Sequence, residues 1–167
     1  GAIGLAKNSL PKQNDYTSKQ LITNSSSASY KGQVLPNGLP KSLAHAPEIG
    51  RTMVVGMTGY YGSSDDGIVW DISGERSLDN LRHVIWVKEH NQFVMVGDAG
   101  YVAVSSDSKV IDASAVIPDV NVLYSVAYSR NLDLYVVTGA DTTTRSFYSH
   151  SSDGIVWGSK IYADILG

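Results

Sequence analysis

From Arg51 onward, short runs of β-branched and aromatic residues alternate with clusters of Gly, Asp, Asn and Ser. Such runs, bounded by turn formers, read as strands, because branched and aromatic side chains fit a pleated, half-buried surface. The pattern predicts strands over 52–55, 60–63, 68–72, 84–88, 93–97, 101–105, 109–112, 123–129, 134–138, 146–150 and 155–157. They follow one another too closely for crossover helices, so hairpins and an antiparallel meander are expected. Residues 1–50 hold neither period for long, and Ser25–Ser29 and Pro36-Asn37-Gly38-Leu39-Pro40 break them further. That half is expected to be an extended, low-complexity arm, ordered only by whatever it docks on.

The body, residues 51–167, repeats itself. A shift of 42 residues lays Val84–Gly97 on Val126–Gly139 without a gap, with Trp86 on Tyr128, Lys88 on Arg130 and Phe93 on Tyr135. An earlier copy fits at a shift of 41, with Gly56, Gly59 and Tyr60 falling on Gly97, Gly100 and Tyr101. A period of roughly 40–45 residues holding four short strands is that of a propeller blade. The expected blades are 51–80, 81–120 and 121–167. The first lacks an opening strand, since nothing like Val84–Lys88 precedes Thr52. The expected fold class is all-β, with about three antiparallel blades, unclosed, after the arm. Propellers typically close with four to eight blades, so homo-oligomerisation or continuation in a longer chain is expected.

Each copy reaches a Ser-Ser-Asp turn. Ser63-Ser64-Asp65-Asp66-Gly67-Ile68-Val69-Trp70 fits Ser-x-Asp-x-Gly-x-x-Trp, through Ser63, Asp65, Gly67 and Trp70. Ser151, Asp153, Gly154 and Trp157 form the same turn shortened by one residue, and Ser105 and Asp107 a copy without the Gly and Trp. Ser and Asp side chains here are expected to bond nearby backbone N–H groups, Gly to supply a positive φ, and Trp to bury beneath the turn.

These turns resemble the Asp-box of BNR-type propeller repeats, in which the box is a structural staple away from the active face. The fuller pattern joins an aromatic strand, Asn91-x-Phe93-Val94-x-Val96-Gly97, Gly100-Tyr101 and the Ser-Ser-Asp turn. It is similar to repeats in tail- and fibre-associated virion proteins of tailed bacteriophages. The resemblance covers residues 51–160 and none of the arm. It implies a structural virion protein of a tail or fibre apparatus, with the arm anchored to other virion proteins and the blades serving assembly or receptor binding. Its place would be the virion tail, or otherwise the extracellular space.

Charge sharpens the division between the halves. Residues 1–50 carry a net +3 and residues 51–167 a net −6. An acidic body argues against nucleic acid as a partner, because phosphate binding needs a basic surface. No apolar run approaches the roughly 18–20 residues that span a bilayer. With no cysteine, disulfide and thiolate chemistry are excluded.

A sialidase-like hydrolase is the enzymatic alternative, because that class carries Asp-boxes. It would need arginines converging on a carboxylate, but Arg51, Arg76, Arg82, Arg130 and Arg145 share no repeat position, and the body offers only Glu75 and Glu89. His45, His83, His90 and His150 lack metal-ligand spacing. No catalytic residue, cofactor or metal is therefore expected. A propeller lectin is the other alternative, with a cell-surface glycan stacking on some of Tyr60, Tyr61, Tyr101, Tyr124, Tyr128, Tyr135 and Tyr148.

Overall fold

The computed structural model describes residues 30–32, 40–73 and 79–163, and they form three antiparallel sheets. The first blade is β2 (Pro40–Ala46), β3 (Arg51–Gly56), β4 (Tyr61–Ser64) and β5 (Trp70–Ser73). A short strand, β1 (Tyr30–Gly32), joins its outer edge by pairing with β5. The second blade is β6 (Leu81–Val87), β7 (Gln92–Gly97), β8 (Tyr101–Ser105) and β9 (Ala113–Val116). The third is β10 (Val120–Ser129), β11 (Leu134–Asp141), β12 (Ser146–Ser151) and β13 (Ile161–Tyr162). Each blade is a meander in sequence order. The inner strands β2, β6 and β10 lie side by side, with β6 in contact with both others. The fold is thus all-β, an open row of propeller-type blades.

The blades stack face to face because no four-stranded sheet can bury its own apolar face. In β7, Phe93 and Met95 point to the first blade and Val94 and Val96 to the third, and all four are fully buried. A strand covered on both faces needs a continuous apolar run, which explains why Phe93–Val96 does not alternate. Strand β12 is covered on one side only, so Ser146–Ser151 alternates exposed and buried along its length. The joint between blades 2 and 3 packs Val94, Val96 and Val102 against Leu123, Val126, Tyr135 and Val137. Each such buried aliphatic contributes roughly 1.5–3 kcal/mol.

Three sequence expectations change here. The first blade does have an opening strand: β2 pairs with β3 from Pro40–Gly56 to Ala46–Arg51. The blade therefore starts inside the segment read as arm, and β1 adds a further piece of that segment to the blade. The remainder of that arm, residues 1–29 and 33–39, lies outside the described residues. The predicted strands at 109–112 and 155–157 are not strands. Those residues are the tail of the Asp-box turn, and the outer strands come later, as β9 and β13.

The repeated glycines follow from the inner strands. The pairings of β2, β6 and β10 each slip by one residue, between Pro40 and Ser42, Leu81 and His83, and Leu123 and Ser125. Such a bulge bends its strand and re-aims the next side chain. It presses a backbone carbonyl onto the facing strand. A Cβ at Gly97 would lie 2.1 Å from the Asn80 carbonyl oxygen, and one at Gly139 2.3 Å from that of Val122.

Candidate functional site: the joints between blades and the groove at their inner ends

The three Asp-box turns are superimposable in their hydrogen bonds. In the third, Ser151 Oγ accepts from the N–H groups of Asp153 and Gly154, and Asp153 Oδ1 accepts from those of Ile155 and Val156 at 2.8 Å each. In the second, Ser105 Oγ accepts from Ser108, and Asp107 Oδ1 from Lys109 and Val110. In the first, the residues that do this are Ser64 and Asp66, whose side chains accept from Gly67, Ile68 and Val69. The register expected for this box, Ser63 and Asp65, is therefore one residue early. Ser63 is buried in β4 opposite Met53, and Asp65 is exposed and ion-paired to Arg51 at 2.8 Å. With the register set by Ser64, the first box matches the third residue for residue, and no shortening is needed.

Gly67 and Gly154 hold φ of 75° and 82°, and Ser108 holds the same place in the second box at 62°. The two Trp side chains are only half-buried, rather than sealed beneath the turn. Trp157 packs on the joint of blades 2 and 3 and donates Nε1–H to the Gly154 carbonyl at 3.2 Å. The box carboxylates titrate below their usual range. For Asp107 and Asp153 burial works against this, but N–H donors from Val110 and Lys109, and from Val156 and Ile155, outweigh it. For exposed Asp66 the N–H groups of Val69 and Ile68 dominate.

The second and third boxes also receive a bond from the preceding blade. Arg51 Nη1, at the start of β3, donates to the Asp107 carbonyl at 3.0 Å. Gln92, at the matching place in β7, donates to the Asp153 carbonyl at 2.9 Å. A second repeated bond crosses between inner strands. The Val84 N–H donates to Ser42 Oγ at 3.2 Å, and the Val126 N–H donates to His83 Nδ1 at 3.1 Å. Ser42 and His83 are the residues that follow the bulge in their strands. Ser125 Oγ also meets His83 Nδ1, at 3.4 Å. That nitrogen accepts from the Val126 N–H, so it carries no proton and the imidazole is neutral. Burial agrees, pushing the His83 pKa down. Sequence reading missed Ser42, His83 and Gln92 as joint residues, because Ser42 and His83, like Arg51 and Gln92, do one task with different chemistry.

A polar chain closes the outer part of the joint between blades 2 and 3. Gln92 Nε2 donates to Tyr135 Oη, which lies 2.8 Å from His90 Nδ1, while His90 Nε2 lies 2.8 Å from Asp133 Oδ1. Tyr128 donates to the same carboxylate oxygen at 2.7 Å. The order carboxylate–imidazole–hydroxyl is that of a nucleophile triad. Tyr135, however, is fully buried, and burial first of all pushes its pKa up to about 12. A sealed, protonated phenol is a strut rather than a nucleophile.

Beside it opens a groove of about 630 Å³ along the inner ends of the blades, walled by Trp86, Tyr128, Glu48, Lys88, Glu89 and Arg130. Trp86 and Tyr128 occupy the same repeat position, as do Lys88 and Arg130. Trp86 packs on Phe93 with ring centroids 4.7 Å apart and donates Nε1–H to Glu48 at 2.8 Å. The Glu48 carboxylate is held below its usual range by its own backbone N–H and by that indole. Arg130 pairs with Glu89. The other described arginines are spent apart from one another, Arg82 on Asp98, Arg145 on Asp141 and Arg51 as above. Among the described residues no arginines converge as a sialidase would need, while Arg76 and Glu75 lie outside them. Of the tyrosines read as stacking platforms, Tyr135 is interior, and Tyr124 and Tyr148 are exposed.

Three successive four-stranded blades with stapled turns define the chain as a β-propeller-type repeat protein. No family model matches it, and no curated protein matches it in sequence. Among solved structures it is similar to YCF48 from Cyanidioschyzon merolae, with a TM-score of 0.57 and 14% sequence identity. The match covers 83% of this chain and 45% of that one, so the chain spans less than half the length of that structure. The likeness is one of fold, the β-propeller.

Proposed function

We propose that the chain is a non-catalytic structural module of a tailed-phage tail or fibre apparatus, its blades forming an assembly or receptor-facing surface. The phage context rests on the resemblance of the blade motif. The structural role rests on one observation: the polar side chains of the repeat are consumed in making turns and tying blade to blade. Ser and Asp of each box hold backbone N–H groups, and Arg51, Gln92, Ser42 and His83 bond the next blade. The test is quantitative mass spectrometry of density-banded particles from lysates of the source culture. Peptides from residues 40–163 are expected to band with the particles at a fixed ratio to other virion proteins. Their absence from the particle band overturns the proposal.

The groove supports a second reading, a propeller lectin. Trp86 and Tyr128 offer ring faces, and Glu48, Glu89 and Lys88 offer acceptors and a donor for sugar hydroxyls. A glycan array read with the unsubstituted chain and Trp86→Ala separates the two. Glycan signal that vanishes in the variant favours the lectin, and an unresponsive array favours the scaffold.

A further inference from the structure

The outer strands of the three blades differ in how their free edges are protected. An exposed strand edge is a row of unpaired N–H and C=O groups, and proteins blunt it by covering it, shortening it or charging it. On blade 1 the edge of β5 is covered, because β1 pairs Tyr30 with Ile72 and Gly32 with Trp70. On blade 3 the outer strand is short, the two residues Ile161–Tyr162. On blade 2, β9 runs over the four residues Ala113–Val116, with no charge, no proline and no register shift along β8. Among the described residues nothing pairs with its outer edge. Ala113, Ser114 and Val116 are exposed, Val116 at 62%.

The ladder fixes which groups that edge offers. The Ile117 N–H donates to the Gly100 carbonyl at 2.9 Å, so the backbone of Ile117 bonds toward β8. Counting back by the two-residue period, Ala115 and Ala113 bond toward β8 as well, and the N–H and C=O groups of Ser114 and Val116 point outward. Blade 1 shows that this place takes a further strand. Gly62 and Ala103 hold one repeat position, Ile72 pairs with the first and Ser114 with the second, and Ile72 is the residue that Tyr30 meets.

Two outward residues spaced by one make the edge complementary to itself. In an antiparallel copy turned about a two-fold axis through Ala115, each Ser114 stands opposite Val116 of the other copy. Every outward N–H then meets an outward C=O, the exposed Val116 side chain is covered, and Asp112 falls opposite Pro118 rather than another acid. We infer that two copies of this chain join edge to edge through β9, merging their second blades into one continuous sheet. The contact is isologous, the form that closes a two-fold pair. It goes beyond the virion reading and does not depend on it, and because it uses an internal blade it is independent of what adjoins blades 1 and 3.

Sedimentation velocity of the unsubstituted chain is expected to give twice its 17.9 kDa mass. Val116→Lys charges an exposed edge position, should leave the circular dichroism spectrum unchanged, and is expected to give single-copy mass. Cysteine placement reads the register, since the chain has no cysteine of its own. The two Ala115 residues meet as a non-hydrogen-bonded pair, about 4.5 Å apart at Cα, within reach of a disulfide. Ala115→Cys is therefore expected to form a covalent two-copy species on oxidation, whereas Ser114→Cys, which faces Val116, is not. A parent chain of single-copy mass at concentrations up to about 1 mM overturns the inference. So does pairing that survives Val116→Lys, or an Ala115→Cys chain that pairs without cross-linking, since either puts the contact elsewhere.

Discussion

Blade 3 has one face inside a joint and one outside, and the two are written in different residues. Toward blade 2 it presents Tyr135, Val137 and Phe147, all at most 4% exposed. Away from blade 2, the same two strands present Val136, Thr138, Tyr148 and His150, of which only Val136 is half-buried. Blade 2 carries four valines at those places, Val94, Val96, Val102 and Val104, all buried. The backbone is the same in both blades, so the side chains record what each face meets. A covered face is built of buried aliphatic and aromatic side chains, and an open face mixes an apolar ring with groups that water can satisfy.

The sharpest way to break this comparison is to truncate one tyrosine on each face. Tyr135→Ala should cost about 3–5 kcal/mol in chemical denaturation, the range for emptying a buried aromatic site. Tyr148→Ala should cost less than about 1 kcal/mol, as exposed substitutions do. Equal losses at both sites would mean that the outer face is not open.

Acid should act next. The box carboxylates of Asp66, Asp107 and Asp153 sit below the usual value of 3.8, as does that of Asp141, held down first by the Thr143 hydroxyl. A depressed carboxylate stabilises the fold above its unfolded-state pKa, and that gain is lost as pH falls through the folded value. Stability should therefore drop steeply below about pH 4. Asp153→Asn should flatten part of that fall, and an acid limb unchanged in this variant would remove the third box from the account.

A smaller effect separates the two inner-strand bonds. His83 titrates and Ser42 does not. The lowered His83 pKa means its contribution is complete above about 6.5 and declines as pH falls below that value. His83→Ser, which restores the chemistry of Ser42 and Ser125, should remove the part of the pH dependence that begins below about 6.5 while keeping the fold. The mildest change is Arg51→Ala. It removes the exposed pairing with Asp65 and the single bond to the Asp107 carbonyl, so thermal unfolding should shift by only a few degrees.

How much of this was legible in the sequence depends on whether a residue's role is local. Strand β8 and the centres of β3, β7, β10 and β12 could be read because branched and aromatic runs bounded by Gly and Asp act within a few residues. The fold class and blade period followed from those runs. Strand β2 was hidden, because Pro40-Lys41-Ser42-Leu43-Ala44-His45-Ala46 has weak strand propensity and becomes a strand only by pairing with β3 and lying against β6. The tails of the Asp-boxes misled in the opposite sense. Lys109 and Val110 look like strand, but give their N–H groups to Asp107 rather than to a ladder. In Ser63-Ser64-Asp65-Asp66, doubled residues allow two registers, and only the spacing to Gly67 that Ser151-Ser152-Asp153-Gly154 sets decides between them. The joints were least legible. Ser42 and His83 perform one task with different chemistry, and bulges rather than residue type aim them.

The claim that repeated side-chain acceptors fasten each inner strand to the one before rests most directly on two backbone amides. Val84 and Val126 lie on inner edge strands, where an N–H without an acceptor exchanges with solvent quickly. Amide hydrogen exchange should find both strongly protected at pH 7. As pH falls through the His83 folded-state pKa, which burial holds below 6.5, Val84 should keep its protection factor while that of Val126 falls, because only the His83 acceptor is lost to a proton. Rapid exchange of both at pH 7, or an identical response of the two to pH, would contradict the account.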